Sequence, residues 1–221
     1  MGRLGDQQTD QAVSVSLPDS PKAAESAVFV KPLETATGVW FSGGDQTRLN
    51  YRFVGDYPNQ TRFQVAVRQV LERGGVVGGT SVGTAAMPEI MTLWQQYEDY
   101  DAPATAVAAY GLGLFSNAIV EQHFDARGGR LERFTGLLRD SDKLNRLAGR
   151  NGVGSTMLGL AIEERSALIV RGDRLEVLGN ANSHVFAKSN QGKTLTWHEL
   201  GTGESARLRR DESGTVELLR K

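Results

Sequence analysis

The sequence predicts an α/β protein in which a mostly parallel sheet is flanked by helices and a β-hairpin follows towards the C-terminus. Three observations carry that prediction. The chain has 221 residues, which at roughly 150 residues per domain is one sizeable domain. Short apolar runs of strand length alternate with segments of helical period through its first half, the pattern of successive βαβ units. Its 26 glycines stand well above the usual ~7% and imply many tight turns and close backbone approaches.

Residues 1–20 are polar and read as an N-terminal arm, and residues 21–221 read as a single α/β domain. A helix is predicted over 21–35, entered at Ser20 with Pro21 in its first turn. Gly38-Val39-Trp40-Phe41 reads as a short buried strand running into Ser42-Gly43-Gly44. Residues 61–73 space Phe63, Val67, Val70 and Leu71 at helical intervals and end in Gly74-Gly75, as a helix with a glycine C-cap does. Val76-Val77 is the next strand, followed by a glycine-rich turn and a helix over 83–97. Ala118-Ile119-Val120 is a strand leading into Glu121-Gln122-His123-Phe124, 131–145 is a helix, and 158–162 is an apolar run ending in Glu163-Glu164. Ala167-Leu168-Ile169-Val170 and Leu175-Glu176-Val177-Leu178 flank Arg171-Gly172-Asp173-Arg174 as a hairpin. Residues 194–197 and 216–219 add edge strands.

Composition removes several function classes. Lys and Arg total 25 against 26 Asp and Glu, a net charge of -1, so no global field draws the chain to nucleic acid or to an anionic membrane. Zero Cys excludes disulfides, a thiol nucleophile and thiolate metal sites. With the 26 glycines counted and the 5 tyrosines left out, the apolar share is about 49%, the globular norm. No uncharged apolar stretch reaches ~18 residues, and the N-terminus has no apolar core of signal-peptide length. The chain therefore reads as soluble and cytoplasmic, without a nucleic-acid or membrane partner. His123, His184 and His198 are scattered, with no ligand spacing, so no metal is expected.

The sharpest local signal is Gly79-Thr80-Ser81-Val82-Gly83 between a strand and a helix. Small flanking residues let the backbone turn tightly enough to push a serine hydroxyl out at the carboxyl end of a sheet, where helix amides face a forming oxyanion. Ser81 is the candidate nucleophile. It needs a base, and His123 lies at the end of a strand among Glu121, Gln122 and Arg127, whereas His184 and His198 lie in polar or edge-strand settings. A third group must orient the imidazole, and Glu163 or Glu164 reaches the same sheet edge. Spacing does not choose between them.

Five ordered segments carry a resemblance: Phe41-Ser42-Gly43-Gly44-Asp45-Gln46, Gly79-Thr80-Ser81-Val82-Gly83, Gly111-Leu112-Gly113-Leu114, Glu121-Gln122-His123-Phe124 with Arg127, Arg130 and Arg133, and Ile162-Glu163-Glu164-Arg165-Ser166-Ala167-Leu168. Together they resemble the successive signatures of the cyanophycinases, serine peptidases related to the aspartyl dipeptidase peptidase E. The resemblance runs from about residue 36 to about 178. It implies a class I glutamine amidotransferase-like, flavodoxin-like three-layer fold and no cofactor. By the same resemblance Ser81 is the nucleophile, His123 the general base and Glu164 the third member of the triad. Gly44 and Val82 offer amides as an oxyanion hole. Gln46, Glu121, Gln122, Arg127, Arg130 and Arg133 fall on or near substrate-contacting positions. A β-aspartyl-arginine unit carries both a carboxylate and a guanidinium, which suits a site that combines arginine forks with an acid.

The chain departs from the family pattern in several places. Val82 and Thr84 replace small residues and are expected to crowd the turn at Ser81, Glu121 and Glu163 stand where the family has the shorter Asp, and one extra glycine, Gly128 or Gly129, lies between the arginines. The family's first strand and its glycine-rich loop have no counterpart before residue 21, which implies a shortened relative, an inactive one, or a homodimer that covers the gap. The functional expectation is a serine hydrolase that cleaves cyanophycin to β-Asp-Arg dipeptides. The alternatives are an Asp-X dipeptidase like peptidase E and a catalytically inactive binding or scaffold protein.

Overall fold

The computed structural model describes residues 21–56, 59–93, 107–189, 191–212 and 215–220. The polar arm expected over 1–20 lies outside them, as do residues 94–97 of the helix expected over 83–97. Helix α1 (Ala27–Val30) lies between 3-10 turns at Pro21–Glu25 and Lys31–Glu34, so the continuous helix expected over 21–35 is in three pieces. Pro32 in the second turn has no amide to donate, which interrupts the ladder. Strand β1 (Gly38–Phe41) is followed by α2 (Gln46–Phe53), a helix not anticipated from the sequence. Asp45 starts it: its carboxylate accepts from the amide and hydroxyl of Thr47 at 2.8 and 2.6 Å. These bonds hold the Asp45 carboxyl below its ordinary pKa. Helix α3 (Arg62–Glu72) opens on a capping box between Thr61 and Gln64.

Strand β2 (Val76–Gly79) runs into α4 (Val82–Ala85), a single turn. The longer helix expected there stops before Pro88, and Ile90–Leu93 is strand β3, paired with β4 (Val107–Tyr110). Strand β5 (Ala118–Gln122) leads to α5 (Arg130–Arg139) and α6 (Ser141–Ala148). The helix expected over 131–145 is divided between these two at Asp140, whose carboxylate caps α6 by accepting from the Lys143 amide at 2.9 Å. A short α7 (Val153–Thr156) precedes β6 (Leu158–Ile162). Six strands complete the chain: β7 (Ser166–Arg171), β8 (Arg174–Gly179), β9 (Ser183–Ser189), β10 (Thr194–Leu200), β11 (Ser205–Arg210) and β12 (Val216–Arg220). The hairpin expected around Gly172 is β7–β8, in register from Ser166↔Gly179 to Arg171↔Arg174.

The class is α/β, but the sheets are not mostly parallel. Among the described residues β1 pairs β2 and β5 pairs β6 in parallel, while the orders β10-β9-β6-β5 and β12-β11-β8-β7 are otherwise antiparallel. Parallel neighbours need a crossover of a dozen or more residues, usually through a helix. No described helix follows Thr156, so the later strands return by short turns and alternate in direction.

Three clusters form the core. Helices α5 and α6 pack Phe134, Leu137, Leu138 and Leu144 against Ile119, Ala161 and Phe186 on one face of the β5–β6–β9 sheet. The other face is covered by the second four-stranded sheet, with Val120, Leu160 and Val185 against Leu175, Val177, Ala206 and Val216. Phe53, Phe63, Val67, Ala86, Met91 and Leu112 fill the space among α2, α3 and α4. The layers around β5–β6 are thus helix, sheet and sheet, where the flavodoxin-like expectation was helices on both faces. No helix among the described residues is long and apolar enough to cross a membrane.

Candidate active site

The two parallel pairs carry the candidate residues. Parallel pairing puts carboxyl ends side by side, and the loops after β1, β2, β5 and β6 hold Gly44, Ser81, His123 and Glu164 respectively. Ligand sites in α/β sheets form at such carboxyl ends.

Ser81 has φ 53° and ψ -118°, a conformation that costs energy for any residue with a Cβ. The surrounding packing imposes it. A Cβ at Gly83 would lie 2.3 Å from the Phe41 carbonyl oxygen, and one at Gly79 would lie 2.6 Å from the Gly83 backbone. Glycine on both sides therefore lets α4 sit directly on β1 and β2. The substitutions expected to crowd this turn are absorbed: Val82 is buried, and the Thr84 hydroxyl donates to the Gly79 carbonyl at 2.7 Å. The Gly111-Leu112-Gly113-Leu114 segment braces the chain from behind. The Leu112 amide donates to Ala86 O at 2.7 Å and the Leu114 amide to Met87 O at 2.9 Å.

Ser81 Oγ lies 2.9 Å from His123 Nε2, and His123 Nδ1 lies 2.7 Å from Glu164 Oε1. A carboxylate only accepts, so the imidazole proton sits on Nδ1 and Nε2 accepts from the serine hydroxyl. His123 also has positive φ, 51°; the next amide, of Phe124, rejoins the ladder by donating to Ile162 O at 3.1 Å. The two glutamates that spacing left open point in different directions. Glu164 faces His123, while Glu163 turns to His184 at 2.9 Å.

The remaining candidates divide. Gly44 (φ 152°) has open space where a Cβ would stand, and its neighbour Gly43 lies against the Ser81 side chain. Val82 is the first residue of α4 and Gln46 the first of α2, both buried. Gln122 is buried beside His123, and its Oε1 has no hydrogen-bond partner among the described residues. Arg127 is exposed. Glu121, Arg130 and Arg133 form a buried ion triad. Glu121 accepts from Arg130 Nη1 and, at 2.8 to 3.1 Å, from Arg133 Nη2 and Nε. Burial lowers the pKa of the Arg130 guanidinium, and the Glu121 charge opposes that shift.

Four residues near the site were not legible in the sequence. Asp125 Oδ1 accepts from the Glu164 amide at 2.8 Å, and the Asn182 amide donates to Glu163 Oε2 at 2.9 Å. His184, read as an unremarkable polar position, is buried between Glu163 and Trp197. Its one sequence signal is polar residues leading into the apolar run Val185-Phe186-Ala187.

Fold and site together define an α/β protein with a serine, a histidine and a glutamate in hydrogen-bonded sequence at the ends of parallel strands. Comparison with known proteins returns relatives named cyanophycinase. The protein of that name from Synechococcus elongatus is 29% identical over 161 residues, 72% of this chain and 44% of its own length. That from Geminocystis herdmanii is 28% identical over 197 residues, 81% of this chain and 65% of its own length, and that from Nostoc sp. is 30% identical over 161 residues, 72% and 47%. The chain is thus similar to cyanophycinases over most of its length, and it spans 44 to 65% of theirs. No protein-family model matches the chain.

Proposed function

We propose that this chain is a serine-type hydrolase of cyanophycinase kind, with Ser81 as nucleophile, His123 as general base and Glu164 as the acid that orients the imidazole. The observation that carries the reading is the pair of contacts at His123, 2.9 Å to Ser81 and 2.7 Å to Glu164. His123 Nε2 takes the hydroxyl proton as Ser81 Oγ attacks the carbonyl carbon, and Glu164 stabilises the imidazolium. The tetrahedral oxyanion faces the amides of Gly44 and Val82. His123 then protonates the leaving amine, and water clears the acyl-enzyme by the same route in reverse.

The substrate is cyanophycin and the product β-Asp-Arg. Release of an intact β-Asp-Arg unit leaves its side-chain isopeptide link whole, so the bond broken is an amide of the aspartate backbone. Gln122, with a buried and unsatisfied carboxamide oxygen, and the exposed Arg127 are the groups best suited to meet substrate, together with Gln46. The Glu121, Arg130 and Arg133 triad supports the wall beside them. On this reading β1, β2, β5 and β6 correspond to part of the parallel sheet of a class I glutamine amidotransferase-like fold.

The test is incubation of the protein and its Ser81→Ala variant with insoluble cyanophycin, with β-Asp-Arg detected by mass spectrometry. The variant should lose on the order of 10³-fold or more in rate. Equal release by both proteins overturns the reading. Turnover of α-linked Asp dipeptides with none of the polymer would instead favour an Asp-X dipeptidase.

A further inference from the structure

We infer that His184, held by Trp197, is a positioning residue that decides which of two adjacent glutamates serves His123. The inference rests on the reading of Ser81, His123 and Glu164 as the reacting relay.

Glu163 and Glu164 leave the same end of β6, and spacing along the chain does not say which one meets His123. The structure engages Glu163 fully on the other side. Its Oε1 pairs with His184 Nε2 at 2.9 Å, its Oε2 accepts from the Asn182 amide at 2.9 Å, and its own amide donates to Asn182 O at 3.2 Å. With both oxygens occupied, turning Glu163 to His123 would break both hydrogen bonds, and the turn that follows is held at its first residue. The Ser166 amide donates to Glu163 O at 3.3 Å across that turn, with Arg165 at φ 64°. Glu164 is the residue left facing His123, its amide held by Asp125.

Trp197 controls the state of His184. An indole N–H only donates, and Trp197 Nε1 lies 3.0 Å from His184 Nδ1. Nδ1 therefore accepts, and the ring proton sits on Nε2, where Glu163 receives it. The opposite tautomer would turn a lone pair towards the Glu163 carboxylate. His184 and His123 thus carry their protons on opposite nitrogens, each set by its partner. The other charged group near His184 is Glu199, with Oε2 3.9 Å from Nδ1 and largely exposed. Aromatic packing fixes the ring further: Phe124, next to His123, lies 5.1 Å from His184, and Trp197 stacks on Phe186 at 5.5 Å.

The experiment compares wild type with His184→Leu, His184→Gln and Trp197→Phe. It reads the downfield ¹H NMR resonance of the His123 Nδ1 proton, kcat and KM on cyanophycin, and the melting temperature. A glutamine amide can donate to Glu163 and accept from Trp197, so His184→Gln should keep the resonance and most of kcat. His184→Leu should shift or abolish the resonance and lower kcat about tenfold or more, with KM little changed. Trp197→Phe keeps an aromatic ring against Phe186 but removes the N–H donor together with one fused ring. It should change the resonance and kcat in the same direction while the protein stays folded at the assay temperature, and it decides the matter if His184→Leu does not fold. An unchanged His123 resonance in folded His184→Leu or in Trp197→Phe overturns the inference, as does a glutamine as damaging as leucine. The resonance is readable without turnover, so failure of wild type to hydrolyse cyanophycin would strike the catalytic reading and leave this one to be decided by NMR.

Discussion

Five non-glycine residues among those described have positive φ, and three of them, Ser81, His123 and Arg165, lie in the loops after β2, β5 and β6. Strain concentrated there marks residues that the fold holds against local preference, as functional sites commonly are. Lys188 is the opposite kind of residue, buried away from these loops. Its ammonium donates to Gly154 O and, at 3.1 Å, to Ser141 Oγ. Burial lowers its pKa to about 8 from the ordinary 10.5, with the Asp140 charge opposing. Below about pH 8 folded and unfolded forms both hold the proton, and Lys188 adds no pH dependence. Between about 8 and 10.5 the unfolded chain binds the proton and the folded chain does not, so stability rises with pH. Urea unfolding of wild type and Lys188→Met across that window should therefore diverge, by at most ~1.4 kcal/mol per pH unit. Parallel curves would show that the folded-state pKa is not depressed.

Elements meet the site through close approach as much as through side-chain chemistry. Helix α5 lies so near β6 that a Cβ on Gly159 would come within 2.5 Å of Leu138 Cδ1 and 2.8 Å of Phe134 Cε1. Phe134 is fully buried and T-stacked on Phe186 at 5.6 Å, so it has little room to yield. Gly159→Ala should destabilise the protein by about 1–3 kcal/mol, read as a lowered urea midpoint at unchanged m-value. An unchanged midpoint would mean that Leu138 and Phe134 rearrange freely. The same strand ends in Glu163 and Glu164, which is why a glycine with no chemistry of its own matters to the site.

Across the molecule the site-bearing sheet β10-β9-β6-β5 is held between a helical layer and a second sheet. Leu175 is completely buried at that sheet-to-sheet contact. Leu175→Ala should cost about 2–5 kcal/mol. Tryptophan fluorescence and far-UV circular dichroism should report one shared, lowered transition, with kcat intact well below it. Separate transitions for the two probes would show that the second sheet unfolds independently of the site. The layering also explains the missed parallel character. An alternation of strands and helices predicts crossovers, and it holds from β1 to β2 and from β5 to β6, but beyond Thr156 there is no helix among the described residues to make one.

The turn at Ser81, the helix following Thr61 and the β7–β8 hairpin were legible in the sequence because each is governed by residues a few positions apart: flanking glycines, a helical apolar period, a Gly-Asp turn between alternating runs. The resemblance also points to His123 and Glu164, whose side chains meet at 2.7 Å. Neighbours in sequence could not say that Glu163 belongs to His184, that a tryptophan thirteen positions beyond that histidine sets its tautomer, or that Glu121 is locked between two arginines. Those outcomes depend on which strands lie side by side and on which lone pairs and protons then face one another across the packed sheet, and both are set by contacts between segments far apart in the chain.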